Sequence, residues 1–322
     1  MSEHEDTYER TEEDQIYNSP QKWFVREKWV QYAVNRKRAN RRDFIRFLTL
    51  TSTKIYDVEF LREHELIATT KAGYNPESIT FCEHIPERYA RIHNRLPGAR
   101  GFLGSFEKFV GAGNIGQPVQ ASKWFPYDVI NLDFTAPCFR QKGKKTSRTM
   151  DAIEKVFDFQ KLKKQCFSFF LTLPALRGGD DLAGISQLNE CLNANLRNEY
   201  RELKDKILQK YPRKRFPNHR EFLLFMVPKL IIRYGQNFTF DVICKERFTY
   251  IADGARTVMI TFIFDCEYVG LPNGYGGENP SEILAERYPN RIMDLLEKEF
   301  ENINEKFERD RLLRERYTRL KR

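Results

Sequence analysis

The sequence predicts an α/β protein with a mostly parallel, twisted sheet, helices on both faces and a C-terminal antiparallel β-hairpin. Three observations predict this fold class. Apolar β-type segments alternate with helical patterns, one segment is apolar enough to be a strand covered on both faces, and two long β-type segments flank a turn signal. No repeat or flexible linker divides the 322 residues, so we expect one fold with added helices at both ends.

The first half of the chain alternates predicted strands with predicted helices. The segment YDVINL is the strongest strand signal, because it is rich in β-branched and aromatic residues and follows Pro126. Pro86 suits the first turn of a helix, and Pro97 with Gly98 ends that helix. The predicted strands are residues 44–50, 78–83, 101–103 and 127–132, and the predicted helices between them are residues 56–66 and 86–94.

The second half contains the run CFSFFLTL, whose continuous apolar character is typical of a central strand. Asp253 and Gly254 form a favoured hairpin turn pair. From Asn290, just after Pro289, apolar residues recur at three- and four-residue spacing, which predicts one long terminal helix. The predicted helices here are residues 150–164, 185–209 and 221–233, and the predicted strands are residues 166–173, 238–251 and 256–268.

Composition excludes several classes of protein. Hydrophobic residues make up 41% of the chain and 26 residues are phenylalanine, which is enough apolar surface for a core without disulfides. The longest apolar run, residues 222–232, is interrupted by Pro228 and Lys229 and is too short for a membrane span. Residues 1–20 lack the apolar centre of a signal peptide, so we expect a cytoplasmic protein.

The six cysteines and five histidines do not form a metal-site pattern. The sequence has no C-x-x-C pair, no H-E-x-x-H motif and no Cys/His cluster at zinc spacing. Most of the cysteines lie inside apolar runs, which indicates buried free thiols in a reducing compartment. We therefore expect no metal.

Positive charge is concentrated near both ends of a chain that carries a net charge of +9. We divide the chain into an acidic tail (1–20), a basic helix (21–43), the α/β domain (44–270) and a charged helical extension (271–322). The basic clusters, which begin at Lys22, fit contact with an RNA or DNA backbone, although solvated helix faces would look the same, and the C-terminal helix would also suit a groove on a protein partner. The candidate nucleic-acid-binding residues are Arg36, Arg38, Arg41, Arg42, Lys142, Lys144, Lys145, Arg314, Arg316 and Arg319.

Polar residues follow the predicted parallel strands where each strand ends. Because a parallel α/β sheet places all carboxyl strand ends on one edge, we expect these residues to converge on one pocket. Asp133 follows a strongly apolar strand, and its carboxylate suits orientation of a substrate amine, while Phe134 suits stacking on a base. The alternative is that Asp133 caps the next segment and Phe134 packs in the core. The strand-end candidates are Thr51, Ser52, Glu83, Gly104, Ser105, Asp133, Phe134 and Pro137.

Residues 42–268 together resemble a class I S-adenosylmethionine-dependent methyltransferase, which has a Rossmann-like sheet. The loop DFTAPCF is similar to the DPFG-S-P loop of tRNA guanine-N2 methyltransferases and, more loosely, to the [DN]PP[FYW] loop of amino-methyltransferases. The resemblance implies that Glu83 binds the cofactor ribose and that Asp133 meets the substrate. It also implies that the closing hairpin supplies the sixth and seventh strands. The glycine-rich first loop of the family has no counterpart, since Thr51, Ser52 and Thr53 occupy that place.

Two functions follow from this reading. The first is methyl transfer from S-adenosylmethionine to a nitrogen of an RNA or DNA base, with cofactor contacts from Thr51, Ser52, Glu83, Gly104 and Ser105 and catalysis at Asp133, Phe134 and Pro137. The second is a catalytically inactive methyltransferase-like subunit that binds nucleic acid or scaffolds a larger complex. A mobile element or an antiviral defence system is a context that would suit the second function.

Overall fold

The computed structural model describes residues 16–111, 119–136, 138, 148–175, 188–190, 192–193, 200–270 and 279–320. These residues form an α/β fold around a mixed, mostly parallel sheet of eight strands, with a separate two-stranded ribbon. Within the described ranges, no helix combines the length and the apolar character needed to cross a membrane.

The large sheet runs in the order β5-β4-β1-β6-β7-β9-β8-β10, and β2 pairs with β3 in the ribbon. Its neighbours are parallel except around β9, which is antiparallel to both β7 and β8. The chain builds outward from β1 through β4 to β5, then returns to the other side of β1 with β6. Strand order therefore reverses between β1 and β6, which is where such sheets open a crevice for ligands. The strands are β1 (Phe47–Thr49), β2 (Thr69–Thr70), β3 (Gly73–Tyr74), β4 (Ile79–Glu83), β5 (Arg100–Leu103), β6 (Val129–Asp133), β7 (Phe167–Pro174), β8 (Phe240–Tyr250), β9 (Met259–Tyr268) and β10 (Glu301–Asn302).

Helices cover both faces of the sheet, because strand residues alternate between two apolar cores. On β7, Phe170 joins the core beneath α1, α2, α10 and α11, whereas Phe169 and Leu171 join the core beneath α6, α8 and α9. All eight residues of β7 are buried, as expected for a central strand. The helices are α1 (Pro20–Ala39), α2 (Tyr56–Glu63), α3 (Pro86–Arg95), α4 (Phe106–Phe109), α5 (Val119–Trp124), α6 (Arg148–Leu162), α7 (Arg201–Lys210), α8 (His219–Asn237), α9 (Pro280–Glu297), α10 (Ile303–Arg309) and α11 (Arg311–Arg319).

The predicted strand at residues 44–50 is shorter in the structure, where β1 is Phe47–Thr49. The two residues before β1 do not form hydrogen bonds of the sheet. The N–H of Ile45 donates to the carbonyl of Leu66, and the N–H of Arg46 donates to the Asp128 carboxylate. Most other strand and helix ends lie within a few residues of their predicted positions. The predicted helix at 185–209 is described mainly at its end, as α7.

The loop of the predicted hairpin is longer than the turn at Asp253 and Gly254 suggests. The two strands are joined by residues 251–258, and Gly254 lies within this longer loop at φ +80°. Asn304, at the start of α10, donates to the carbonyl of Ile251 at 3.1 Å and accepts from its N–H at 2.7 Å. Because a distant side chain satisfies these backbone groups, the strands do not need to pair up to the turn.

The single long helix predicted from Asn290 is also wrong. Helix α9 begins at Pro280, contains Pro289 and ends at Glu297, after which the chain makes β10 and two short helices. Strand β10 pairs with β8 through Glu301 beside Phe248. An edge strand offers unpaired backbone groups, and here the C-terminal segment covers part of that edge instead of continuing as a helix.

Candidate functional site

The carboxyl ends of β1, β4, β5 and β6 open into one pocket of about 260 Å³, here called the strand-end pocket. The convergence expected from the parallel sheet is confirmed, and the pocket lies where strand order reverses. Pro137 lies outside the described residues. The predicted residues that line the pocket are Thr51, Ser52, Glu83, Gly104, Ser105, Asp133 and Phe134.

Glu83 ends β4 with a side chain that is 12% exposed. Its Oε1 atom accepts a hydrogen bond from the backbone N–H of Ile85 at 2.8 Å and lies 3.2 Å from Nδ1 of His84. One carboxylate oxygen thus shapes its own loop, in the manner of an Asx-type turn. The other oxygen has no hydrogen-bond partner among the described residues, so it is the acceptor that a ligand would meet.

Gly104 and Ser105 form the neighbouring wall. The N–H of Gly104 donates to the carbonyl of Glu83 at 2.8 Å, and a Cβ atom at Gly104 would come within 2.6 Å of the Phe102 ring. Gly104 also has φ +158°, a backbone conformation that L side chains rarely adopt. The Ser105 hydroxyl caps α4 by accepting from the N–H of Lys108. These residues therefore hold the wall in shape through local contacts.

The loop after β1 turns without a glycine. The N–H of Ile55 donates to the carbonyl of Ser52 at 3.0 Å, and Ile55 adopts left-handed backbone angles at φ +52°. For a β-branched residue this conformation costs about 1–2 kcal/mol. Burial of the Ile55 side chain in the core beneath α1 and α2 holds it in place. Ile55 is thus held by the core, and residues 50–53 form the pocket wall at this loop.

Asp133 is already engaged by a residue from the N-terminal helix. Lys22, in the first turn of α1, donates from Nζ to Oδ2 of Asp133, and the two side chains are only 3% and 5% exposed. The Lys22 ammonium also lies 5.8 Å from the centre of the Tyr250 ring. Burial alone would lower the pKa of Lys22, but the Asp133 carboxylate outweighs it and the pKa is raised. The Lys22 ammonium therefore stays charged in its contact with Asp133.

A second buried pair joins α1 to α2 one helical turn later. Arg26 donates to Asp57 at 2.6 Å, and Asp57 also accepts from the amide of Asn131 at 3.4 Å. Arg26 further donates to the carbonyl of Tyr17 at 2.8 Å, which holds Tyr17 at the pocket wall. The start of α1 thus neutralises two carboxylates and partly closes the strand-end pocket.

The sequence analysis does not identify either pair, because Lys22 and Arg26 belong to a basic cluster that is typical of exposed helix faces. The spacing of the two residues nevertheless indicates that they are buried. Lys22 and Arg26 are four residues apart and share a helix face with Trp29, which is buried. Cations on the apolar face of a helix indicate buried partners, since an unpaired buried charge is costly.

The candidate nucleic-acid-binding residues of α1 separate into two groups. Arg36 is buried and ion-paired with Asp265 on β9, so the interpretation of Arg36 as a phosphate contact is wrong. Arg38 and Arg41 are exposed, and Arg42 lies 3.8 Å from Asp128 with its side chain 41% exposed. Lys142, Lys144 and Lys145 lie outside the described residues.

Two basic turns meet at the amino edge of the sheet, opposite the strand-end pocket. The side-chain amides of Asn40 and Gln165 both donate to Oδ1 of Asp128, at 2.5 and 3.1 Å, and Asp128 is fully buried just before β6. These contacts bring the turn after α1 beside the turn after α6. The resulting surface, here called the amino-edge patch, consists of Arg38, Arg41, Arg42, Lys161, Lys163 and Lys164.

The C-terminal helix α11 docks on this chain's own α1. Tyr317 is 3% exposed, its hydroxyl donates to Glu27, and its ring centre lies 5.4 Å from that of Phe24. Helix α11 therefore packs on this molecule through Tyr317, while Leu312 is 78% exposed. Of the predicted cations, Arg316 pairs with Glu27 at 2.6 Å, Arg314 lies 4.0 Å from Asp253 and Arg319 lies 3.9 Å from Glu315.

Metal-ligating side chains do not cluster within the described ranges, where no group of three His, Cys, Asp or Glu residues could hold an ion. Among the described cysteines, Cys82, Cys138, Cys166, Cys244 and Cys266 are free thiols.

No protein-family model matches this chain, and no curated protein sequence matches it.

Proposed function

We propose that this protein is a non-catalytic, methyltransferase-like protein that binds nucleic acid. The buried pair between Lys22 and Asp133 carries the proposal. A carboxylate that orients a substrate amine needs an oxygen open to the substrate, whereas Asp133 is buried beneath α1 and bound to an ammonium group. Freeing it would leave Lys22 buried without its partner, at a cost of about 3–5 kcal/mol.

The sheet supports the methyltransferase-like part of the proposal. Its parallel strands run third, second, first, fourth, fifth in chain order across β5, β4, β1, β6 and β7, which is the Rossmann order. The closing hairpin of β8 and β9, which resembles the sixth and seventh strands of the family, adds an antiparallel edge.

The strand-end pocket is small for S-adenosylmethionine. Its volume of about 260 Å³ is smaller than the roughly 300–1,000 Å³ of typical ligand sites. The loop that should bring backbone to the cofactor carries the buried Ile55 in a left-handed conformation instead of a glycine. Together with the occupied Asp133, these features support a role other than methyl transfer.

The amino-edge patch supports nucleic-acid binding. Its arginines and lysines project from two turns that Asp128 holds together, and exposed cations of this kind bind phosphates and release counterions. Asp133 lies at the far end of β6 from this patch. A duplex held at the patch would therefore keep its bases away from the strand-end pocket.

Oligonucleotide binding at several salt concentrations tests the proposal. Replacing Arg38, Arg41, Arg42, Lys163 and Lys164 together by Gln should weaken binding and flatten its salt dependence, because each neutralised phosphate contributes a slope of about −0.9 for duplex DNA or −0.7 for single strands. A control with the same change in charge replaces exposed cations elsewhere, namely Arg62, Lys71, Arg91, Arg201 and Lys245. Equal salt slopes in the two variants would contradict the assignment of the patch.

Methyl transfer is the second candidate, favoured by the convergence of seven predicted residues at the point where strand order reverses. Thermal-shift titration separates the two candidates, since a ligand at 100 times its dissociation constant adds about 2.7 kcal/mol to stability. We expect no shift with millimolar S-adenosylmethionine or S-adenosylhomocysteine. A clear shift that Glu83→Ala abolishes, with methyl transfer lost in Asp133→Ala, would establish the second candidate instead.

A further inference from the structure

A larger cavity, of about 760 Å³, shares no lining residue with the strand-end pocket. It is bounded by the end of α7, the start of α8, strand β8 and residues 298–302, and is here called the α8–β8 cavity. Its volume is in the range of small-molecule sites. Five cations line it: Lys210, Arg220, Arg247, Lys298 and Arg309.

Arg247 is a buried cation without an acidic partner. The residue is 8% exposed and donates to the carbonyl oxygens of Leu224, at 3.1 Å, and of Lys298. No described carboxylate forms an ion pair with it. Burial lowers the pKa of Arg247, as expected for a charge that water no longer solvates. A buried guanidinium held only by neutral carbonyls retains an attraction for an anion.

Lys210 adds a second positive charge at the same wall. Its Nζ donates to the carbonyl of Leu296, and no described carboxylate lies in ion-pair contact with it. Burial lowers the pKa of Lys210, and the neighbouring charge of Arg247 lowers it further against the opposing effect of Glu221 and Glu299. The two cations therefore repel each other, and an anion placed between them would relieve that repulsion.

Arg220 supplies an unused donor and an aromatic surface. Its guanidinium lies 5.6 Å from the centre of the Phe300 ring, and its Nε is buried without a hydrogen-bond partner. Tyr211, also in the wall, is nearly buried. A ligand here would meet the Arg220 guanidinium beside the Phe300 ring.

The wall also contains carboxylates, but most of them have partners of their own. Glu299 and Arg309 also line the cavity, so its wall holds five cations and four carboxylates, and Lys210, Arg220 and Arg247 are the three cations whose contacts are described above. The engaged groups are Glu221 with Asn218 at 3.2 Å, Glu301 with Lys306 at 2.5 Å and Glu305 with Asn302 at 2.6 Å.

We propose that the α8–β8 cavity binds a mononucleotide through its phosphate. Arginine pairs with phosphate through parallel N–H donors, and Lys210 adds a point charge. Phe300, which is half-buried, offers an apolar surface for the base. The site is separate from both the strand-end pocket and the amino-edge patch. This proposal can therefore be tested independently of the proposed nucleic-acid binding.

Calorimetric titration with AMP, adenosine and inorganic phosphate tests the proposal on the full chain. AMP should bind, inorganic phosphate should bind more weakly, and adenosine should not bind detectably. Arg220→Gln should weaken AMP binding at least tenfold, because a charge-assisted hydrogen bond is lost. The exposed neighbour Arg215→Gln, which does not line the cavity, should bind AMP as the unmodified protein does.

Arg247→Gln provides a second test if it folds, and circular dichroism establishes whether it does. Three results would overturn the proposal: no AMP binding at millimolar concentration, equal binding by Arg220→Gln and the unmodified protein, or adenosine binding as tightly as AMP. The last result would place recognition in the base and leave the three cations without a role.

Discussion

Positively charged side chains are buried and paired at one edge of the sheet and exposed at the other. At the carboxyl edge, Lys22 and Arg26 are buried and each is paired with a carboxylate. At the amino edge, Arg38 and Arg41 are exposed at the end of the same helix. One basic helix thus supplies buried ion pairs from its first turns and exposed cations near its end. The difference shows that a charge cluster in a sequence has no single role until burial is known.

The largest effect should follow from breaking the Lys22–Asp133 pair on one side. Lys22→Met should lower the free energy of unfolding by about 3–5 kcal/mol, because Asp133 would remain as an uncompensated buried charge. Denaturation by urea measures this change. The double variant Lys22→Met with Asp133→Leu should recover most of the loss, since neither charge remains.

Lys28→Met is the matched control on the same helix. Lys28 pairs with Glu246 at 3.6 Å but both side chains are partly exposed, so the loss should stay below about 1 kcal/mol. If Lys22→Met proved as mild as this control, the pair would not hold α1 on the sheet.

Alkaline pH should weaken the same contact. The pKa of Lys22 is raised in the folded protein above its ordinary value of 10.5, so the stabilisation is complete below pH 10.5 and falls as the pH rises above that value. Urea denaturation between pH 9 and about 11.5 should therefore show a steeper loss in the unmodified protein than in the double variant. Parallel curves for the two proteins would contradict this linkage.

Arg36 and Arg38 lie two residues apart in α1 and allow a direct comparison of a buried cation with an exposed one. Arg36→Gln should lower stability by about 1–3 kcal/mol, because Asp265 loses its partner, and should leave the salt dependence of nucleic-acid binding unchanged. Arg38→Gln should leave the free energy of unfolding unchanged and should flatten the salt dependence of nucleic-acid binding. Denaturation and salt titration of both variants check this, and a change in salt slope for Arg36→Gln would return Arg36 to the nucleic-acid interface.

The smallest effect should come from the C-terminal helix. Arg316→Gln removes an exposed pair with Glu27 and should change the free energy of unfolding by less than about 1 kcal/mol. Tyr317→Ala should cost more, because it removes a buried ring from its contact with Phe24. Urea denaturation that ranked the two variants the other way would show that α11 is not anchored by Tyr317.

Local patterns predicted the parallel sheet and the candidate pocket well. The apolar run that ends in Asp133 and the shorter strand that ends in Glu83 carry their own signals, and parallel strands bring their ends together by geometry alone. The ends of the C-terminal helices were harder to predict, because helical periodicity does not indicate where a segment will pair with an edge strand instead. Residues 301–302 pair with β8 although the surrounding spacing is helical.

The sequence by itself determined the alternation of strands and helices, the acidic strand ends and the absence of a glycine in the first loop. Only the tertiary structure decided that Lys22 neutralises Asp133, a residue 111 positions away, and that Arg247 has no carboxylate beside it among the described residues. The physical reason is that propensity and periodicity act over a few residues, whereas the partner of a buried charge is set by chain segments that meet only when the core forms.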